Sequence, residues 1–204
     1  MFFKKILILS ILIILLPGCS LPFGKKQPSI NDMNLKSKKI LMVVSPIDFR
    51  DAEYFEPRKI LEAAGAEIKT ASIQSGIAKG ADGGETKIDL TVSDVNVADF
   101  DAVAFIGGPG MAEIVGDESL QILARKFYDA GKLTTAICVA PSILAKAGVL
   151  QGKKATSWPD VKEDLIKGGA DYTGGAVMID GKIITADGPA SAKKFGERIA
   201  EALK

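Results

Sequence analysis

Short apolar runs alternate along the chain with longer segments in which apolar residues recur at helical spacing. The short runs are rich in β-branched and small apolar residues, which is typical of strands buried in a sheet. The longer segments predict amphipathic helices. Because strands and helices alternate, we expect one α/β domain with a mostly parallel sheet and helices on both faces. The predicted strands are 40–44, 66–73, 101–106 and 133–138, and the predicted helices are 56–65, 119–131, 139–148 and 190–204.

Local signals add detail to this order of elements. Pro57 suits the first turn of the first helix, and Gly65 suits the position just after its end. Asp180 and Gly181 lie between two short apolar runs and predict a tight hairpin. Segment 87–92 follows a glycine-rich stretch and is expected to pair as an edge hairpin.

The N-terminus has the features of a targeting segment. Two lysines precede an apolar stretch at 6–16, which is short for a membrane span and has the proportions of a signal-peptide core. It ends in Leu16-Pro17-Gly18-Cys19, which resembles the lipobox of bacterial lipoproteins. The resemblance implies cleavage before Cys19 and lipidation of that residue; an ordinary signal peptide and an uncleaved anchor are the alternatives.

These features divide the chain into three parts. We expect a lipoprotein signal peptide at 1–18, the lipidated cysteine with a polar spacer at 19–38, and the folded domain at 39–204. The acyl chains would hold the protein stably on a bacterial membrane. The expected location is therefore the cell envelope, outside the cytoplasm and lipid-anchored.

Composition excludes several classes of chemistry. The chain has no histidine, which removes Ser-His-Asp and Cys-His catalysis and His-ligated zinc. Its two cysteines, Cys19 and Cys138, are too few for a cysteine-rich metal site or a disulfide framework, so no metal and no cofactor are expected. The 26 basic and 25 acidic residues are scattered, which argues against a nucleic-acid partner.

The candidate chemistry lies where predicted strands end, which is where parallel sheets bind ligands. Segment 106–111 contains three glycines that allow close backbone approach, although it lacks the Gly-Lys-Ser/Thr of a phosphate loop. Cys138 ends a strand just before a helix, where a helix N-terminus favours thiolate. Segment 48–57 carries four carboxylates, most of them expected to be solvated. These features alone leave Cys138 open between nucleophile and buried structural thiol.

The motifs in order resemble the ThiJ/PfpI family, whose fold is flavodoxin-like and related to class I glutamine amidotransferases. The resemblance covers 39–204 and is carried by "FIGGPG", "AICVAP", a carboxylate four residues before Pro57, and "ATSWPDVKEDL". It implies a three-layer sandwich and commonly a homodimer. It also implies a reactive elbow cysteine at Cys138, with Glu53 as its hydrogen-bonding glutamate. The backbone N–H groups of Gly108 and Val139 would bind an oxyanion, and Gly107 and Trp158 would belong to the pocket.

This chain departs from the family at the histidine positions. Many members have histidine directly after the elbow cysteine, where this chain has Val139. Others bring one from the following strand, in the segment where this chain has Trp158. A Cys-His protease mechanism is therefore excluded. Trp158 would narrow and dry the pocket, or it would belong simply to the core or an interface.

A Cys-Glu pair is what remains, and its protonation matters. An ionised Glu53 would oppose thiolate formation at Cys138, whereas a protonated, partly buried Glu53 could donate a hydrogen bond to it. The second arrangement is predicted. The resemblance implies attack of Cys138 on an α-oxoaldehyde, a small-molecule carbonyl substrate, in glyoxalase-like or deglycase-like chemistry. The alternative is a redox-responsive, stress-related or small-molecule-binding role without turnover, based on oxidation of the thiol.

Overall fold

The computed structural model describes residues 34–204, so the predictions for the signal peptide and Cys19 lie outside the described residues. Within 34–204, no helix combines the length and the apolar character that a membrane span requires. The described chain enters the domain at Leu35, before the predicted start at Lys39. Leu35 is fully buried, and its N–H donates to the carbonyl oxygen of Ala64 at 2.8 Å.

The strands and helices alternate as the pattern predicts. The strands are β1 Lys39–Val43, β2 Ile47–Phe49, β3 Glu67–Ser72, β4 Ile77–Gly80, β5 Glu85–Lys87, β6 Leu90–Thr91, β7 Ala102–Phe105, β8 Leu133–Ile137, β9 Lys154–Ala155, β10 Asp171–Tyr172, β11 Val177–Asp180 and β12 Ile183–Ala186. The helices are α1 Asp51–Ala63, α2 Pro109–Ile114, α3 Glu118–Asp129, α4 Pro141–Lys146, α5 Lys162–Lys167 and α6 Ala192–Leu203.

A seven-stranded sheet in the order β11-β12-β8-β7-β1-β3-β6 forms the middle layer. All its pairs are parallel except that between β11 and β12, the hairpin predicted at Asp180-Gly181. Helices α1 and α6 pack on each other and contact β3, β8 and β12, whereas α3 and α4 form a second pair against β7 and β8. The molecule is the expected flavodoxin-like α/β sandwich.

The core explains why the central strands form where they do. Every residue of β7 and β8 is buried, and four of the five residues of β1 are buried. Strands covered by helices on both faces have no solvent side, so their sequences lack polar alternation. Because these three strands are parallel neighbours, the loops that follow them meet at one edge of the sheet.

Two sequence predictions were wrong in detail. Helix α1 begins at Asp51 instead of residue 56, so Pro57 lies inside the helix. Most of segment 48–57 therefore belongs to regular secondary structure, in β2 and α1. Asp51 accepts hydrogen bonds from the N–H groups of Asp82 at 2.8 Å and Gly84 at 2.6 Å, which ties the start of α1 to a neighbouring turn. Such a tertiary contact outweighs the local start signal of proline.

Segment 87–92 does not form a hairpin of its own. Its first residue ends β5, which pairs antiparallel with β4 in a small sheet that also includes β2. Its later residues Leu90–Thr91 form β6, the parallel edge strand beside β3. The short segment contributes to two sheets because the chain turns between Lys87 and Leu90.

The contact between α1 and α6 yields a stability prediction. A Cβ on Gly196 of α6 would lie 2.6 Å from Pro57 Cα, which is closer than side-chain carbons approach backbone. Gly196→Ala should therefore destabilise the protein by about 1–3 kcal/mol, although alanine ordinarily stabilises a helix by up to about 1 kcal/mol relative to glycine. Urea unfolding of the purified protein measures the change.

Gly116→Ala is the control, since nothing lies within 4 Å of a Cβ at Gly116. Its free energy of unfolding should stay within about 0.5 kcal/mol of wild type. A Gly196→Ala protein as stable as wild type would contradict the close packing of α6 on Pro57.

Candidate active site

Cys138 lies on the turn between β8 and α4 with an unusual backbone. Its φ is 65°, a left-handed conformation that non-glycine residues seldom adopt. Two contacts hold it there: its N–H donates to the carbonyl oxygen of Ala186 at 2.9 Å, and its carbonyl accepts from the N–H of Trp158 at 2.8 Å. The residue is 7% exposed, so the sulfur reaches the surface only at the base of a cavity. Strain maintained by neighbouring structure is typical of functional positions.

Glu53 is placed beside this cysteine by the first turn of α1. It is fully buried, and its Oε2 accepts a hydrogen bond from the N–H of Gly107 at 3.1 Å. Its side chain interacts directly with that of Cys138. Oε1 has no partner of ordinary hydrogen-bond geometry among the described residues. When the Glu53 carboxyl is protonated, the sulfur of Cys138 is therefore the nearby group that can accept its hydrogen bond.

The glycines after β7 make this contact possible. A Cβ at Gly107 would lie 2.6 Å from Cys138 Cβ and 2.7 Å from Glu53 Oε2, so any larger residue would separate the pair. Gly108 has a φ of 118°, and a Cβ there would lie 2.4 Å from the backbone nitrogen of Arg50. The sequence indicated close backbone approach at this loop, and the approach is to the side chains of Cys138 and Glu53 at Gly107 and to the backbone of the β2–α1 turn at Gly108.

Burial and mutual repulsion control the protonation of the pair. Burial raises the pKa of Glu53 from 4.5 to about 7, against the lowering effects of Cys138, the Gly107 N–H and Arg50. Burial, followed by the Glu53 carboxyl group, raises the pKa of Cys138 to about 12. Hydrogen bonds from the N–H groups of Gly108 and Val139 act in the opposite direction. The lowering effect of the α4 N-terminus on the pKa of Cys138 is therefore outweighed, and an ionised Glu53 opposes thiolate formation.

A cavity of about 300 Å³ opens above the sulfur. Trp158 forms part of its wall and is 41% exposed, so it is not a core residue. Its indole Nε1 donates to Asp160 Oδ2 at 3.2 Å, which satisfies its single donor. The remaining lining is mostly apolar: Arg50, Gly108, Pro109, Ala112, Cys138, Val139, Asp160, Val161 and Pro189.

Sequence reasoning missed Arg50 and Asp187. Arg50 lines the cavity and its N–H donates to the Gly107 carbonyl at 3.0 Å. Asp187 accepts from the Ser191 hydroxyl at 2.6 Å and repels charge on Glu53, which raises the pKa of Glu53. The one sequence signal for Arg50 is that it is the single basic residue in the acidic segment 48–57. Within residues 34–204, no three acidic or cysteine side chains are grouped as metal ligands would be.

The raised pKa of Glu53 predicts a pH-dependent stability. Because the folded pKa of about 7 exceeds the ordinary 4.5, the folded state holds the proton between these values and the unfolded state does not. Stability should fall by up to about 3 kcal/mol as pH rises from 4.5 to 7. Glu53→Gln should remove that fall. Urea titrations across this range measure it.

Glu56→Gln on the same helix is the matched control, because Glu56 is exposed. It should keep the wild-type slope of stability against pH. Equal slopes for wild type and Glu53→Gln would show that folding does not raise the pKa of Glu53.

Comparison with known proteins identifies relatives of this chain. Residues 38–202 match the DJ-1/PfpI family profile. A deglycase of Pyrococcus horikoshii is 34% identical over 77% of this chain and 95% of its own length, and an uncharacterized protein of Methanocaldococcus jannaschii is 39% identical over 84% and 85%. The crystal structure of a ThiJ/PfpI domain protein from Brachyspira murdochii superposes with a TM-score of 0.80, at 36% identity, over 83% of this chain and 97% of that one. This chain therefore belongs to the DJ-1/PfpI family.

Proposed function

We propose that the protein is a cysteine-dependent enzyme that converts α-oxoaldehydes such as methylglyoxal to 2-hydroxy acids, in glyoxalase-like or deglycase-like chemistry. One observation carries the proposal: Cys138 and the buried Glu53 interact at the base of an open cavity, with the N–H groups of Gly108 and Val139 directed at the sulfur. The deglycase relative from Pyrococcus horikoshii supports the reaction class.

The first step uses the one proton that Cys138 and Glu53 share. The Cys138 thiol passes its proton to the Glu53 carboxylate as the sulfur attacks the aldehyde carbon, a C–S bond forms, and the carbonyl π electrons move to the oxygen. Glu53 gives that oxygen its proton, and the product is a hemithioacetal. The N–H groups of Gly108 and Val139 stabilise the oxyanion as it develops. Burial keeps the pKa of Glu53 at about 7, which suits an acid near neutral pH.

The second stage uses Glu53 as a base. Its carboxylate removes the hydrogen from the former aldehyde carbon as a proton, which gives an enediolate. The carboxyl group returns that proton to the neighbouring carbon, and the hydroxyl proton on the former aldehyde carbon passes to the neighbouring oxygen. The result is a thioester of a 2-hydroxy acid. Water hydrolyses the thioester and restores the Cys138 thiol, so the net change is addition of one water to the oxoaldehyde. No redox partner is needed.

The absence of histidine restricts the chemistry further. Cys-His proteolysis requires an imidazole to activate the thiol and to protonate the leaving amine. The 204-residue sequence has no histidine, and Val139 and Trp158 line the same cavity as Cys138. Neither side chain exchanges protons usefully, so Glu53 is the proton carrier in this proposal.

A redox-responsive role is the second candidate, and it uses the same pair. Oxidation of Cys138 by peroxide would give a sulfenic and then a sulfinic acid. The Glu53 Oε1 atom, which has no ordinary partner among the described residues, would donate its proton to a sulfinate oxygen. This role needs no turnover.

We further propose that Cys19 is lipidated and holds the domain at the cell envelope, outside the cytoplasm. The lipobox-like Leu16-Pro17-Gly18-Cys19 and the polar spacer after it support this location. A tether of this kind leaves Cys138 as the free thiol of the mature protein. A homodimer, as the family resemblance implies, is part of the same proposal.

Removal of either member of the pair tests the enzymatic proposal. Cys138→Ser and Glu53→Gln should each lower kcat/KM for methylglyoxal by at least about a hundredfold, because a nucleophile or an acid–base group is lost. Glu56→Gln should retain wild-type turnover, since its side chain is exposed on the same helix. Chiral chromatography of the lactate formed is the measurement.

Peroxide treatment separates the two candidates. Wild-type protein that forms no lactate, yet gains two oxygen atoms at Cys138 by mass spectrometry, would replace the enzymatic proposal with the redox one. In that case Glu53→Gln should slow sulfinate formation. Lactate production that persists in Cys138→Ser would contradict the enzymatic proposal.

Lipidation is tested on the mature protein from a bacterial host. Intact mass and acyl labelling should show cleavage after Gly18 and acyl groups on Cys19. Cys19→Ala should abolish the label and shift the protein out of the membrane fraction. An unprocessed Met1 terminus in the wild-type protein would refute the proposed tether.

A further inference from the structure

Arg50 lines the cavity but takes no part in the proposed proton transfers. Arg50 directly precedes α1, and its backbone N–H is fixed on the Gly107 carbonyl at 3.0 Å. This bond positions its Cα beside the glycines that support the Cys138–Glu53 pair. Arg50 lines the same cavity as Cys138, and its guanidinium is close enough to the pair for its charge to lower the pKa of Glu53.

The Arg50 guanidinium retains unused donors. Its Nη1 lies 3.2 Å from both carboxylate oxygens of Asp82, and no other atom of the group has a hydrogen-bond partner among the described residues. A guanidinium carries five N–H donors, and Nε with Nη2 forms an edge that fits a carboxylate. The two side chains are 32% and 56% exposed, so the existing ion pair is weak and exchangeable.

The other residues around the cavity make Arg50 the group that can recognise an anion. The described lining has one cation, Arg50, and one anion, Asp160, whose Oδ2 already accepts the Trp158 indole proton. The rest of the wall is backbone or apolar surface. A carboxylate entering such a cavity loses water and needs a charged donor in return.

We infer that the preferred substrate is an α-oxoaldehyde that also carries a carboxylate, which Arg50 binds while Cys138 attacks the aldehyde carbon. This inference rests on the proposed function for its substrate class. A short acid of this kind, such as 4,5-dioxopentanoate, suits a cavity of about 300 Å³. Addition of one water would convert it to a 2-hydroxy dicarboxylate, with the same bonds formed and broken as for methylglyoxal.

Two alkylating agents test the anion site without turnover. Iodoacetate and iodoacetamide both alkylate a thiolate with loss of iodide and differ in carrying a carboxylate or an amide. Peptide mass spectrometry gives the rate of each at Cys138. The iodoacetate-to-iodoacetamide rate ratio in wild type should exceed that in Arg50→Gln by at least about tenfold. Arg50→Lys should fall between them, because it keeps the charge but loses the planar fork.

Arg125→Gln is the matched control. Arg125 also pairs with an exposed aspartate, Asp129, at 2.9 Å, but it lies on α3 and not at the cavity. Its rate ratio should equal that of wild type. Asp82→Asn, which frees the guanidinium, should keep or increase the ratio. Equal ratios in wild type and Arg50→Gln would overturn the inference.

Turnover then distinguishes this inference from the proposed function. Arg50→Gln should raise KM for 4,5-dioxopentanoate at least about tenfold more than KM for methylglyoxal. Equal effects on both substrates would remove the inference and leave the proposed function standing. A wild-type alkylation preference for iodoacetate without turnover of either compound would remove the proposed function and the inferred substrate with it, and would leave Arg50 only as an anion-binding residue of the cavity.

Discussion

The Glu53 carboxyl and the Cys138 thiol are buried next to each other at the carboxyl edge of the sheet, and their burial and mutual repulsion oppose ionisation of both groups at once. Glu53 is fully buried and Cys138 nearly so, and burial is the largest cause of the raised pKa of each. When one group ionises, its charge opposes ionisation of the other. The site therefore changes state by moving one proton within the pair, which is the step that the proposed chemistry needs.

Several features of the fold maintain the contact between Glu53 and Cys138. Gly107 has no side chain because a Cβ would collide with both Cys138 and Glu53. Cys138 adopts a positive φ because backbone bonds from β12 and from Trp158 hold it in place. Asp51 anchors the start of α1 to the turn after β4, which keeps Glu53 in position. Loss of any one of these contacts would change the separation of the two acidic groups.

Because the sequence has no histidine, the properties of the site depend on the other side chains around Cys138. With no imidazole, the proposed proton transfer depends on a carboxyl group whose pKa burial has brought to about 7. Trp158 lines the cavity and donates its single N–H to Asp160, so the hydrogen bonds to the sulfur come from the backbone N–H groups of Gly108 and Val139. Arg50 then supplies the positive charge of the cavity wall. The result is a small, largely apolar cavity that is lined by the Cys138 thiol and by one cation, Arg50, among the described residues.

The sequence by itself determined the α/β class, the central strands and the hairpin at Asp180-Gly181, because burial on both faces and turn chemistry are local properties of the residues involved. The motif resemblance also singled out Cys138 and Glu53. Only the tertiary structure decided where α1 begins, since Asp51 bonds to a turn about thirty residues away. It also decided the pKa order of the pair and the place of Arg50 at the cavity. Desolvation and charge proximity depend on groups distant in the chain, and no local pattern encodes those distances.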